Sequence, residues 1–347
     1  MLNLRLVRGP LDQRQNEQIL KEYNQLTSSQ IPMAEFLHWI QDSPDGPAWH
    51  AILETDEGEI AAHSCLIPLR LASLEKQITA AKSEYSFIRE EFRARKIRGF
   101  ENSTRLKNLT IIDELFRHCE SAGWGPLLIS TSSAVHRLYR SVRCYPVNFS
   151  VWECLLILRP WKAASTTPNL SRLQQLLLFL SGILQRVVWS IFSLFSHSKK
   201  SYPVDLADVP GEDAAAFFMD SDSRRWRYPE GQYEVLALDP EGLEHVIVKS
   251  GSGDKYLRVC QWRLASDRAA SAVASRLIAM APSQNALGVR WAVYGDEEAA
   301  EKLSRSLRQS GFLCVHRVRT VLIYSKEQEF LQAKSWSLTD AFFSFDP

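Results

Sequence analysis

Residues 104–130 read TRLKNLTIIDELFRHCESAGWGPLLIS, and the reading of this stretch sets the fold class. Leu106, Leu109, Ile112, Leu115, Phe116 and Cys119 recur every three or four residues, which predicts a helix over 104–122 with a single apolar stripe. Gly123 stands just past the stripe, where a left-handed residue ends a helix. Pro126-Leu-Leu-Ile-Ser130 is then a short buried strand. Upstream, residues 3–8 alternate as a first strand does, and 12–25 and 33–41 carry helical spacing. Pro32 opens the second of these helices, and Phe36, Trp39 and Ile40 share its face. After the turn cluster Ser43-Pro44-Asp45-Gly46-Pro47, strands are expected at 49–54, 59–71 and 77–88, the first two joined by a hairpin turn at Asp56-Glu57-Gly58. A basic stretch from Arg89 to Gly99 leads into the 104–122 helix, and beyond it 133–142 reads as a helix and 144–159 as two strands.

Residues 160–172, with Pro160, Pro168 and a Ser-Thr-Thr run, read as a linker. The segment 173–195 is the most apolar of the chain. At about 100° per residue, Gln174, Gln175, Ser181, Gly182, Gln185, Arg186, Ser190 and Ser193 fall on one half of the wheel, and most Leu, Ile and Val on the other. Gln and Arg inside the run argue against a simple transmembrane helix. Three roles stay open for the apolar face: burial between two halves of the chain, a place in a membrane interface, or a partner protein. Basic flanks at Arg172, Lys199 and Lys200 suit the second. From 203 on, the pattern gives a helix near 211–219, strands near 232–238, 243–249 and 256–263, a helix at 267–281, a strand at 289–294, a helix at 297–310 and a strand at 314–325. The first unit shows the same order after its opening helices. Two copies of one mixed α/β architecture are therefore expected, at 1–160 and 203–347, joined by a linker at 161–202 that carries the amphipathic helix.

The 347 residues are 45% hydrophobic and 23% charged, as in a folded chain rather than a disordered one. Lys and Arg number 41 against 40 Asp and Glu, so no global field draws the protein to DNA. Cys65, Cys119, Cys144, Cys154, Cys260 and Cys314 never approach CxxC spacing; they read as small buried hydrophobes, and no metal is expected. The opening Met-Leu-Asn-Leu-Arg-Leu-Val lacks the regions of a secretory signal, so a cytoplasmic place is expected, at most peripheral at the inner face of the membrane.

The order of elements resembles the GNAT acyltransferase fold: a strand, two helices, an antiparallel meander (here 49–87), a pyrophosphate-binding turn and long helix (89–122), a splayed strand (126–130) and a helix (133–142). Ser130-Thr-Ser-Ser-Ala-Val-His-Arg-Leu-Tyr139 looks like the family's second motif, and Ser310-Gly311-Phe312 like its closing Gly-Phe pair. The run Arg225-Trp226-Arg227-Tyr228-Pro229 with Tyr233, and the tail Trp336-Ser-Leu-Thr-Asp340, resemble tandem-GNAT, FemAB-like proteins, which are often associated with polysaccharide, cell-wall or envelope-lipid assembly.

What the resemblance implies is acyl transfer from acetyl-CoA or another acyl-CoA to an amine of a small acceptor, an amino sugar or an amino acid. Tyr139 stands where the family places the general acid for the departing thiolate. Glu84, in the strand before the turn, is the candidate base, with His63 as the alternative. Arg93, Arg95, Lys96, Arg98 and Gly99 occupy the turn, which departs from the family's glycine-rich pattern. Two readings follow: the cations hold the diphosphate through side chains, or the CoA site is lost. Arg225, Trp226, Arg227, Tyr228 and Tyr233 combine cations with aromatic planes and are the candidate acceptor contacts. The alternatives are FemAB-like aminoacyl transfer, with aminoacyl-tRNA as donor, and a non-catalytic GNAT-like module in a membrane-surface assembly.

Overall fold

The computed structural model describes residues 1–72, 77–103, 107–129, 139–166, 171–193, 216–217, 221–229, 231–237, 245–249, 255–264, 267–295 and 297–332. Strand β1 (Asn3–Arg8) pairs antiparallel with β2 (Trp49–Glu54), and helices α1 (Gln13–Thr27) and α2 (Met33–Gln41) lie between them in the chain. Asp12 caps α1, its carboxylate accepting the Gln15 N–H at 2.8 Å. In α2 the buried residues are Phe36, Trp39 and Ile40, the face that the spacing predicts. The turn into β3 (Ile60–Ala72) uses Gly58 at φ +80°, where a side chain is disfavoured. Then come β4 (Gln77–Ile88), α3 (Lys107–Ser121) and β5 (Leu127–Ile129).

The second half holds β6 (Cys144–Ile157), α4 (Pro160–Thr166), α5 (Arg172–Ser193), β7 (Ala216–Phe217) and α6 (Ser221–Arg227). It continues with β8 (Tyr233–Ala237), β9 (His245–Lys249), β10 (Leu257–Arg263), α7 (Asp267–Met280), β11 (Gly288–Gly295), α8 (Glu297–Gln309) and β12 (Leu313–Tyr324). One mixed sheet runs β1-β2-β3-β4-β5-β12-β6-β11-β10-β9-β8, and β7 pairs with the free end of β3. The two halves echo each other. In each, an antiparallel meander is followed by a helix and a parallel strand: β4 beside β5, and β10 beside β11. Each half then gives its last strand to the other. β12 pairs with β5, β6 pairs with β11, and β6 and β12 pair with each other over twelve positions.

The helices cover both faces. Leu109, Ile112, Leu115, Phe116 and Cys119 of α3 pack with Leu66, Ala81, Leu127 and Ile129 on one face. Helices α1 and α2 pack with Ile52, Ile67, Tyr85 and Phe87 on the other. Helices α7 and α8 close the core over β9, β10 and β11. The mixed α/β class is as expected.

Some local expectations change. Residues 144–157 form one long strand rather than two, because β12 holds them extended without a break in register. Part of the linker is helix α4, with Pro160 in its first turn, where a missing N–H costs nothing. Within the helix expected near 211–219, Ala216 and Phe217 are instead extended, paired to Ala72 and Leu71; the rest lies outside the described residues. So do Ser130–Leu138 of the second motif and the tail 336–340. The apolar stripe of α5 is not buried between the halves; Leu173, Leu177, Leu180 and Leu184 are all exposed. No helix among the described residues is long and apolar enough to cross a membrane.

Candidate active site

Among the described residues, β4 and β5 run parallel and pair at three positions, Ala81–Leu127, Lys82–Leu128 and Ser83–Ile129. The described part of β5 reaches Ile129, and β4 runs on from Glu84 to Ile88. This last part of β4 carries a bulge. Across β3, Cys65 faces Glu84 and His63 faces Phe87, so the ladder slips at Tyr85 and Ser86. Tyr85 takes φ +50°, an uncommon region for a bulky residue. A bulge of this kind bends the strand and re-aims its side chains.

Around the end of β4 sits a buried polar cluster. Lys82 Nζ lies 2.6 Å from a Glu84 carboxylate oxygen. Burial lowers the Lys82 pKa, and the Glu84 charge raises it again. Arg227, from α6, stacks over the Trp39 ring at 5.4 Å and is buried. Burial lowers its pKa, while Tyr228, Tyr233 and Glu84 act to keep it charged. Helix α6 is held in place by the first half of the chain. Trp226 Nε1 donates to the His38 carbonyl at 3.1 Å, and His38 Nε2 donates to the Trp226 carbonyl at 2.7 Å. Arg70 Nη2 reaches Ser223 Oγ at 3.3 Å and pairs with Asp45.

The expected acceptor residues therefore separate. Arg227 lies within electrostatic reach of Glu84. Trp226 is a staple between α6 and α2, edge-on to Trp39 at 5.2 Å. Tyr228 donates to Gln261 Oε1 at 2.7 Å and packs edge-on to Tyr233 at 5.1 Å, both over β9 and β10. Burial raises both phenols, Tyr233 to about 12. Arg225 is exposed and pairs with Asp222 at 3.7 Å.

His63 is buried and fully engaged. Its Nδ1 faces the Tyr85 carbonyl at 2.9 Å, an acceptor, so Nδ1 carries the proton. Nε2 then accepts from His50 Nδ1 at 3.0 Å, which leaves His50 Nε2 as a bare, buried acceptor. Burial lowers both pKa values, that of His63 to about 4, so both rings are neutral. With Cys65 these rings bring three donor atoms within 4.8 Å of one another. The proton shared by the two rings now occupies the place between them.

Tyr139 packs against the α3 core on the opposite face of the sheet from Glu84, and burial raises its pKa. The basic segment is an exposed strap. Phe92 and Ile97 anchor it in the core, and it is laced to the N-terminus by Leu2 N–H to Lys96 O at 2.9 Å and Arg98 N–H to Leu2 O at 2.8 Å. Arg98 pairs with Asp56 at 3.2 Å, and Arg95 stacks on Phe92. Among the described residues no carboxylate lies in ion-pair range of Arg93, Arg95 or Lys96. Gly99 has φ +81°, and its N–H is given to Glu101 Oε1 at 2.9 Å.

Sequence reading passed over Lys82 and His50. Both have the same signal: a polar residue at an inward position of an otherwise apolar strand, Ala80–Lys82–Glu84 and His50–Ile52.

With this geometry in view, solved structures can be compared. Over 92% of this chain, it superposes on a conserved protein from Enterococcus faecalis V583 described as a "Probable N-Acyltransferase", with a TM-score of 0.56, 8% identity and 71% of that chain covered. A GCN5-related N-acetyltransferase from Anabaena variabilis gives 0.51, 11% identity and 72% coverage of its chain. Another from Kribbella flavida gives 0.51, 10% and 70%. The fold is that of the GCN5-related N-acetyltransferases. No family model and no curated protein sequence matches the chain. At such identities the likeness is one of GNAT architecture alone.

Proposed function

We propose that the protein is an N-acyltransferase that moves an acyl group from a CoA thioester to the amine of an amino sugar or amino acid. The observation that carries this reading is the end of β4, where Glu84 stands just past the described pairings with β5, paired to the buried Lys82 and within electrostatic reach of the buried Arg227. A thioester, when bound, supplies an activated carbonyl. The chain's own residues supply the proton traffic. Glu84, held by Lys82, takes the proton of the acceptor ammonium through water. Tyr139, kept protonated by burial, holds the proton that the departing sulfur needs. Glu84 and Tyr139 lie on opposite faces of the sheet, so the reading places the thioester across the end of β4 between them.

The strap fits a diphosphate through side chains rather than through backbone. Arg93, Arg95 and Lys96 are exposed and make no close ion pair among the described residues, with Glu57, Glu91 and Glu101 only in wider electrostatic reach of Arg95 and Lys96, while the amide of the single glycine is already used by Glu101. The test is calorimetry of acetyl-CoA and longer acyl-CoA on the full chain and on R93A/K96A, with turnover of an amine panel by Glu84→Gln. Micromolar binding that weakens about tenfold or more in the double variant is expected, with turnover falling roughly 10²–10⁴-fold in Glu84→Gln. Absence of binding by every CoA thioester would overturn the proposal.

A further inference from the structure

Helix α5 sits on the protein the wrong way out. From its polar half, Gly182 and Gln185 face inward. Gln185 is buried, and its side chain caps the end of β6: Oε1 accepts the Ile157 N–H at 2.8 Å, and Nε2 donates to the Leu155 carbonyl at 3.0 Å. Leu155 is the last residue paired with β12 and Ile157 lies beyond it, so Gln185 takes the place of a strand at the end of this edge of β6. Gly182 lets the helix come down: a Cβ there would stand 2.6 Å from Pro160 Cβ. The outward half is then apolar. Leu173, Leu176, Leu177, Leu180, Ile183, Leu184, Val187 and Val188 are between 36% and 65% exposed. Their spacing places them on one stripe, opposite Gly182 and Gln185. Trp161 of α4 adds a ring that is 74% exposed, edge-on to Phe179 at 5.8 Å.

A cavity of about 750 Å³ opens beside this stripe, between α4, α5 and the end of α7. That lies in the range of roughly 300–1,000 Å³ typical of ligand sites. Phe179, Ile183 and Ile278 form apolar walls, and Arg159, Lys162 and Arg186 bring three cations to it. Arg159 and Lys162 turn to the neutral Asn285, and no carboxylate pairs with any of the three among the described residues. Uncompensated cations beside a continuous apolar stripe and an exposed indole match one occupant: a membrane surface, with phosphate above and acyl chains below.

We propose that α5 lies in the plane of an anionic phospholipid bilayer, with its outward stripe among the acyl chains and Arg159, Lys162 and Arg186 gathering lipid phosphates at the adjoining cavity. The helix is not suited to crossing the bilayer, because its inner half is bonded to β6. Each cation is expected to be worth about fivefold in partition.

The test is co-sedimentation of the full chain with vesicles of phosphatidylcholine alone and of equal parts phosphatidylcholine and phosphatidylglycerol, alongside sedimentation velocity without lipid. Binding to the anionic vesicles is expected. L177D/L184D, at exposed positions that do not burden folding, is expected to lower it about tenfold or more. K162E/R186E is expected to reduce it to the level seen on phosphatidylcholine alone. A folded, monomeric chain that sediments with neither vesicle overturns the proposal. So does a charge-reversed variant that binds as the natural chain does. A dimer that L177D/L184D turns into monomer would mean that a second copy, and not lipid, covers the stripe.

Discussion

Helices α3 and α5 carry the same kind of amphipathic sequence and face opposite ways. In α3 the stripe from Leu109 to Cys119 is buried against the sheet, and Asp113 and Arg117 pair along the helix at 2.8 Å. In α5 the stripe looks outward, and a glutamine and a glycine look in. The sheet beneath each helix accounts for the difference. Under α3 lie the apolar side chains of strands that pair on both sides. Under α5 lies the last part of β6, where the partner strand has already ended and backbone groups still need hydrogen bonds. An apolar face there would leave those groups unsatisfied, which costs about 1–3 kcal/mol apiece. The moment of a helix fixes which residues share a side; what the neighbour requires fixes which side is buried.

Phe116→Ala empties a fully buried aromatic position and is expected to cost about 3–5 kcal/mol in urea unfolding; a loss below about 1 kcal/mol would mean that this stripe is not the packed one. The face opposite α3 holds the neutral pair His50 and His63, whose folded pKa values lie below the ordinary 6.5. The unfolded chain therefore binds more protons in acid. Stability should be full above pH 6.5 and fall as pH drops toward about 4, by about 3 kcal/mol for His63 alone. Denaturant midpoints across that window read it, and His63→Phe should remove the share due to His63, about 3 kcal/mol, and leave that of the buried His50. The smallest effect belongs to α5. Leu184→Gln alters an outward residue and is expected to change stability by less than about 0.5 kcal/mol in the same unfolding assay. A larger loss would show that the stripe is covered within the folded chain.

Much of the architecture is legible locally. The alternation at 3–8 and 49–54, the face of α2 and the turn at Gly58 all stand where spacing places them, because each depends on neighbours within a few residues. What is not legible depends on distant partners. Nothing in 144–157 says that β12 will lie along it for its whole length. Nor does the sequence of β4 announce its bulge, which is a mismatch of register with β3. The candidate site divides in the same way. Glu84 is visible as a carboxylate in the right strand. That Arg227 comes to it from more than a hundred residues away, while its neighbours Arg225 and Trp226 do not, follows from how α6 is stapled to α2.

The exchanged last strands also have a meaning in time. β5 and β6 are made early, and the slot between them is filled only by residues 313–324. About 170 residues separate the end of β6 from the end of β12. At roughly 5–20 residues per second, that is on the order of ten to thirty seconds of synthesis. Throughout that interval the growing chain offers two unpaired strand edges at the centre of its future sheet, shaped for a twelve-residue strand that does not yet exist. On a polysome, where several copies stand at different stages, a completed β12 from one chain can enter the open slot of the next. An interlocked dimer is thus the error that this topology invites.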